Sequence, residues 1–242
     1  MTRHATILVL LLRLAGHTAA STEAPWRAAI DRLGLPLTIV SATTPPRAFL
    51  VLMSGDGGWA EVDQAVAAGL ARHGVTTIGW SSLRYFVTTQ PMTTVAGDLR
   101  RVVDALVPAH LPIYAGGYSF GAEVAPVVMA QRWPERDRAR IAGLLLLGPS
   151  ASATFRVNPL DWIREPPPDP RHRVDDAVRR LSPMTILCVT GGDDATCICP
   201  SLADVPGVVV VRVPGSHHFE NGIPAVIDAA MTRLFTNAPE AP

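Results

Sequence analysis

The chain has 242 residues, 48% hydrophobic and 17% charged, with a formal net charge of +0. That length and composition suit one large or two small domains able to bury roughly 70–75% of the surface exposed when unfolded, and they exclude disorder along most of the chain. All 21 basic residues are Arg, which excludes a P-loop Lys or a lysine Schiff base, and the balanced charge leaves no global case for nucleic-acid binding.

In chain order, the first feature is a targeting pattern over residues 1–20. Arg3 and His4 precede an apolar run, Ala5–Leu12, and Thr18-Ala19-Ala20 stands before Ser21. This is the order of charged, apolar and small residues in a secretory signal. It predicts export to an oxidising compartment, leaving residues 21–242 as a single domain. No internal apolar run reaches the ~20 residues of a membrane span.

From there strands and helices alternate. Leu37–Val40 and Ala48–Met53 read as strands, the second apolar throughout, as in a strand buried on both faces. Glu61–His73 has helical spacing and ends at Gly74, a C-cap residue. Val75–Trp80 is the next strand. Thr93–Val107 is amphipathic, with Val95, Leu99, Val102 and Leu106 on one side, and Pro108 stops it. Ile113–Gly116 is a strand, Ala122–Arg132 a helix and Ile141–Leu147 a strand. Met184–Val189 and Val208–Val213 are two more strands, and Ala225–Phe235 is a closing helix. This alternation predicts an α/β fold: a mostly parallel sheet with helices on both faces. Pro149–Leu181, with its Pro-rich stretch at 165–170, is too long for a simple connection. It is expected to form an insertion, to about residue 182, over the edge where the strands end.

The nucleophile signal is Gly117-Tyr118-Ser119-Phe120-Gly121, a G-x-S-x-G between an apolar strand and a helix. A tight strand-to-helix turn leaves no space for a β-carbon beside the serine and exposes Oγ of Ser119. Serine alone is a poor nucleophile and requires a base held by a third group. The strand at 184–189 runs into Thr190-Gly191-Gly192-Asp193-Asp194, and the strand at 208–213 into Pro214-Gly215-Ser216-His217-His218. Asp194 is the candidate acid, with Asp193 as the alternative. His217 is the candidate base, with His218 as the alternative. The order Ser, Asp, His is that of α/β-hydrolases. In such a fold the loop after the first parallel strand, Ser54-Gly55-Asp56-Gly57-Gly58-Trp59, supplies one oxyanion donor and the residue after the serine the other. Those are the backbone N–H groups of Asp56 and Phe120.

Three Cys are too few for a disulfide scaffold. Cys197-Ile198-Cys199 with His217-His218 has the residue types of a zinc site but no second ligand pair at metal spacing, so neither a metal nor another cofactor is expected. After export, Cys199 is expected to pair with another Cys, and Cys188 to be simply buried in its strand.

Four segments together, the loop 54–59, Ser82-Leu83-Arg84-Tyr85-Phe86, Gly117–Val124 and Gly215–Phe219, resemble the VirJ/AcvB family of bacterial virulence proteins over about residues 37–236. The resemblance implies an α/β-hydrolase exported to the periplasm, associated with type IV secretion and with hydrolysis of aminoacylated phosphatidylglycerol, notably its lysyl ester. Ser119 matches the nucleophile and His217 the base. An acidic residue expected near Thr196 is missing, which leaves Asp193 or Asp194. A lysyl-lipid calls for a carboxylate near its ammonium and an Arg fork near its phosphate. Glu123, Asp56 and Asp193 are candidates for the first. Arg84, Arg156, Arg164, Arg171 and Arg173 are candidates for the second.

Two functions are then open. One is a serine esterase acting on a lipid-linked or small-molecule ester, in peripheral contact with a membrane. The other is a hydrolase-fold protein that acts mainly by binding secretion-system components.

Overall fold

The computed structural model describes residues 23–134, 137, 139–158, 160 and 169–237. The proposed targeting segment and Arg164 lie outside these residues.

Seven strands form one sheet: β1 (Leu37–Val40), β2 (Ala48–Met53), β3 (Val75–Trp80), β4 (Ile113–Tyr118), β5 (Ile141–Leu147), β6 (Ile186–Gly191) and β7 (Val208–Val213). Their order is β1-β3-β2-β4-β5-β6-β7. Only β1 runs antiparallel, against β3. The expected mostly parallel sheet is therefore present. Alternation along β2 shows why it is apolar throughout. Phe49, Val51 and Met53 face one core, and Ala48, Leu50 and Leu52 the other. Helices cover both faces. One face packs against α1 (Glu23–Leu33), α4 (Met92–Leu106), α5 (Phe120–Arg132) and α6 (Val174–Leu181). The other packs against α2 (Glu61–Ala71) and α7 (Ile223–Ala229), which continues through a π turn at Ala230–Leu234. A one-turn helix, α3 (Ser82–Tyr85), follows β3.

The strand order reverses between β2 and β4. Chain leaving β2 crosses to β3 on one side, and chain leaving β3 returns to β4 on the other. Loops at the C-terminal ends of β2 and β4 diverge there and open a crevice, the place where ligands bind in such sheets.

Three elements differ from expectation. The segment expected as an insertion ends in α6, an ordinary crossover helix from β5 to β6 that packs on α5. Of the described residues before Val174, those at 150–152, 154 and 156–158 border the pocket that Ser119 lines. β6 starts at Ile186 rather than Met184, because Met184 N–H closes a turn onto Leu181 while Ile186 N–H begins the pairing, donating to Gly207. β4 runs on to Tyr118 and α5 starts at Phe120, which leaves Ser119 alone in the turn.

Cys188, in β6, is bridged to Cys199, and Cys197 is free and buried. The expectation that Cys188 is merely buried is thus corrected. Its side chain points to the face on which the chain folds back through Cys199, a proximity with no signature in the strand itself. The bridge spans a sequence separation of 11 and closes the loop that carries Asp194. Reduction, or joint replacement by Ala, is expected to lower folding stability by roughly 2–3 kcal/mol through the freed unfolded chain. Urea unfolding of both forms reads this directly, and coincident curves would show that the bridge contributes nothing.

Candidate active site

The turn between β4 and α5 is built by backbone packed without side chains. A Cβ on Gly116 would overlap the Leu145 carbonyl, one on Gly117 the Gly121 backbone, and one on Gly121 the Met53 carbonyl. Any larger residue would push β4 from β5 or α5 from β2. Ser119 itself has φ 50° and ψ −117°, a costly conformation for a non-glycine residue. It is held there by its N–H donating to Leu147 O at 2.8 Å and its carbonyl accepting from Glu123 N–H at 3.2 Å.

Ser119 Oγ lies 2.9 Å from His217 Nε2, and His217 Nδ1 lies 2.8 Å from Asp194 Oδ2. The second Asp194 oxygen accepts from Thr196 N–H at 3.1 Å and from Thr196 Oγ1 at 2.8 Å. The Asp194 side chain is 2% exposed and that of His217 30%. Burial acts to raise the Asp194 carboxyl, but the hydrogen bonds from His217 and Thr196 outweigh it and hold the group below its ordinary value. It therefore stands ionised beside His217. Asp193 is exposed and its N–H donates to Gly215 O, so the structure brings Asp194 and not Asp193 to the histidine. His218 turns instead to Tyr118, its Nδ1 2.9 Å from the phenol oxygen. Glu220 pins the histidine turn, accepting from Ser216 N–H and Oγ, which together hold its carboxyl at about 2. Gly148 faces the His217–Asp194 pair: a Cβ there would sit 3.1 Å from His217 Cε1.

Two pockets meet at Asp56, Ser119 and His217. One, of about 210 Å³, is lined also by Phe120, Glu123, Ser150, Ser152, Arg156 and Asn158. The other, of about 720 Å³, runs along the start of α2 and is bordered by Tyr118, Phe219 and Ile223. Asp56 and Phe120, the expected oxyanion donors, both border the first. Phe120 opens α5, so its N–H is one of the first four, which have no acceptor within their own helix. Glu123 reaches this pocket as well, but its carboxylate accepts from Ser150 N–H and Oγ, which makes it a brace for the 149–158 segment.

Arg84 is not brought to the site. It is exposed in a groove with Ile30, Gly34 and Leu37, on the α1 side. The reason is the helical turn of α3, which turns its neighbours inward and Arg84 out. Ser82 N–H donates to Ser54 Oγ at 2.9 Å, Ser82 Oγ donates to Ser54 O, and the Phe86 ring packs 5.1 Å from Phe120. The 82–86 segment thus braces the oxyanion loop from behind. Of the other Arg candidates, Arg156 borders the pocket, while Arg171 and Arg173 are paired with Asp169 and Asp175.

The model of a family described as bacterial virulence protein (VirJ) matches residues 47–238. The chain belongs to this family. No curated protein matches the sequence. Its fold is that of the α/β-hydrolases. It is similar to Est1E from Butyrivibrio proteoclasticus with ferulic acid bound (TM-score 0.61, 18% identity, 84% of this chain and 96% of that one). It is similar also to dienelactone hydrolase from Anabaena variabilis (TM-score 0.57, 19% identity, 84% and 91%) and to a structure from the study of the metagenome-derived lipolytic enzymes LipS and LipT (TM-score 0.59, 12% identity, 83% and 98%).

Three site residues escape sequence reasoning. Thr196 gave no signal beyond lying two residues past Asp194. Tyr118 is hidden inside the nucleophile motif; burial, then the charges of Asp63, Asp56, Asp194 and Glu220, push its phenol well up. Asp63 reads as an ordinary first-turn helix acid. It is 1% exposed, its carboxyl accepts from Ala60 N–H at 3.3 Å, and burial pushes it up to about 7. An acid raised in this way costs stability as pH rises. From about 4 to about 7 only the unfolded chain ionises, and above that the cost is constant. Asp63→Asn is therefore expected to raise Tm at about pH 8 and leave it unchanged at about pH 4. Thermal scans across that range test the sign, and equal gains at both ends would contradict it.

Proposed function

We propose that the protein is an exported serine hydrolase that cleaves the aminoacyl ester of phosphatidylglycerol, with lysyl as the acyl group. The observation that carries this reading is the relay from Ser119 Oγ to His217 Nε2 at 2.9 Å and on from His217 Nδ1 to Asp194 at 2.8 Å, opening on two pockets. His217 Nε2 takes the Ser119 proton as Oγ bonds to the ester carbonyl carbon. Negative charge moves to the carbonyl oxygen, which turns to the N–H groups of Asp56 and Phe120. Asp194, ionised and buried, fixes the imidazole tautomer and offsets the imidazolium. His217 then gives the proton to the departing glycerol oxygen and the C–O bond breaks, leaving the aminoacyl group on Ser119. A water molecule, losing a proton to His217, attacks the same carbon; the bond to Ser119 Oγ breaks, His217 returns the proton to Oγ, and the amino acid is released.

The two pockets suit an ester whose ends differ in charge. Among the described residues that line them, Arg156 is the sole guanidinium, and it borders only the smaller one. A phosphodiester is matched by its fork. Membership of the VirJ family supports the lipid substrate. The Cys188–Cys199 bridge supports export, because such bridges persist in oxidising compartments such as the periplasm.

Ser119→Ala and His217→Ala are each expected to reduce hydrolysis of a simple ester by roughly 10³-fold or more, because the members of the relay act as a unit. Asp194→Asn should cost about as much by fixing the wrong tautomer, while Asp193→Asn and His218→Ala cost far less. Turnover of 4-nitrophenyl acetate by each purified, folded variant ranks them. Near-parental turnover by Ser119→Ala would sink the assignment, and inertness of the parent chain would leave partner binding as its role. For the substrate, lysyl-phosphatidylglycerol is expected to show a higher kcat/KM than an analogue with a neutral acyl group. A ratio near one would remove the lysyl-lipid and keep a generic esterase.

A further inference from the structure

The larger pocket differs from the smaller in its charge. It is bordered by four carboxylates, those of Asp56, Glu61, Asp63 and Glu220, and by no Arg. Charge of one sign at a pocket wall is by itself only a solvated surface. Asp63 is of another kind. Its side chain is 1% exposed, and one carboxyl oxygen, Oδ1, is buried with no hydrogen-bond partner. A buried acceptor with no donor is destabilising, and a buried carboxylate with no cation more so. The other oxygen has a backbone donor, Ala60 N–H, and Glu220 is committed to Ser216. What is missing is a donor that carries positive charge, and Asp63 is among the residues that line the pocket.

The remaining walls say what carries that charge. Val62, Phe219 and Ile223 line the pocket together with the Tyr118 ring. An apolar wall leading to carboxylates fits a methylene stem ending in an ammonium, which buries its stem and pairs its head. It does not fit a compact cation, which leaves the apolar wall uncovered. The same pocket is lined by Ser119 and His217, so a group held in it belongs to the molecule being cleaved.

We propose that the pocket between the start of α2 and the histidine turn is the subsite for a long aliphatic ammonium on the acyl part of the ester, with Asp63 as its principal counter-charge and Glu61 at its rim. This rests on the reading of Ser119 as nucleophile and adds to it the residue that selects the acyl group. It departs from the sequence expectation, in which Glu123, Asp56 or Asp193 held the cation. Glu123 is spent on Ser150, in the other pocket. Burial pushes the Asp63 carboxyl up to about 7, so the free site carries this charge at its cost limit, and an arriving ammonium favours the ionised form.

Binding can be measured apart from catalysis. The Ser119→Ala protein is titrated by calorimetry with L-lysinamide and with L-norleucinamide, which share the α-ammonium and the methylene stem and differ at the ε-ammonium. Lysinamide is expected to bind at least about tenfold more tightly, and the added change Asp63→Asn to bring the two within about twofold. Glu61→Gln, at the solvated rim, should erode the difference only about two- to threefold. Equal affinities in the Ser119→Ala protein, or no binding of lysinamide, would overturn the proposal. So would a preference that survives Asp63→Asn in a protein whose Tm shows it folded. Failure of the hydrolase reading looks different. The parent chain would then leave 4-nitrophenyl acetate untouched while the two amides still separated.

Discussion

The site depends on how closely the backbone packs around one turn. Ser119 occupies a conformation that few non-glycine residues adopt. It does so because β4 lies against β5 and α5 lies against β2 with no side chain between them at Gly116, Gly117 and Gly121. That packing points Oγ out of the sheet at its C-terminal edge. The reversal of strand order between β2 and β4 opens the crevice at the same place, so the loop after β2 and the start of α5 converge on the serine. The helix braces the turn in return, since its first intrahelical bond ends on the Ser119 carbonyl.

Electrostatics then separate two aspartates of similar burial. Asp194 has His217 on one oxygen and Thr196 on the other, and these partners outweigh burial. It stays charged, as a group facing an imidazole must if it is to stabilise the imidazolium. Asp63 has only backbone donors, those of Ala60 and of Asp63 itself, and burial outweighs them. The first is complete within the chain. The second is not, and an incomplete charge at the wall of a reaction pocket is the arrangement expected where specificity outranks stability.

Much of the scaffold serves the loops rather than the serine. The segment at 82–86 does not bring Arg84 to the site. It ties the loop after β2 to β3 through Ser54 and Ser82 and sets Phe86 behind Phe120. The Cys188–Cys199 bridge closes the chain on either side of Asp194, and Glu220 restrains the histidine turn. Two of these loops are held by hydrogen bonds and the third by a disulfide.

By itself the sequence determined the layer architecture, because apolar runs of strand length alternating with amphipathic helices leave little choice of fold. It determined the serine turn as well, because glycines on both sides of a serine between strand and helix report a steric constraint written in consecutive residues. It narrowed the acid and the base to neighbouring pairs and stopped there. A loop residue's direction has no local signature, and Asp193 and Asp194, or His217 and His218, differ only in which of them the fold turns inward. The tertiary structure brings Asp194 and His217 to Ser119 and leaves Asp193 and His218 aside. It also turned Arg84 outward, joined Cys188 to Cys199 and enclosed Asp63. Each of these outcomes depends on what lies across space from the residue, as with Thr196 beside Asp194 or an acceptor left without a donor, and periodicity along the chain carries no record of that.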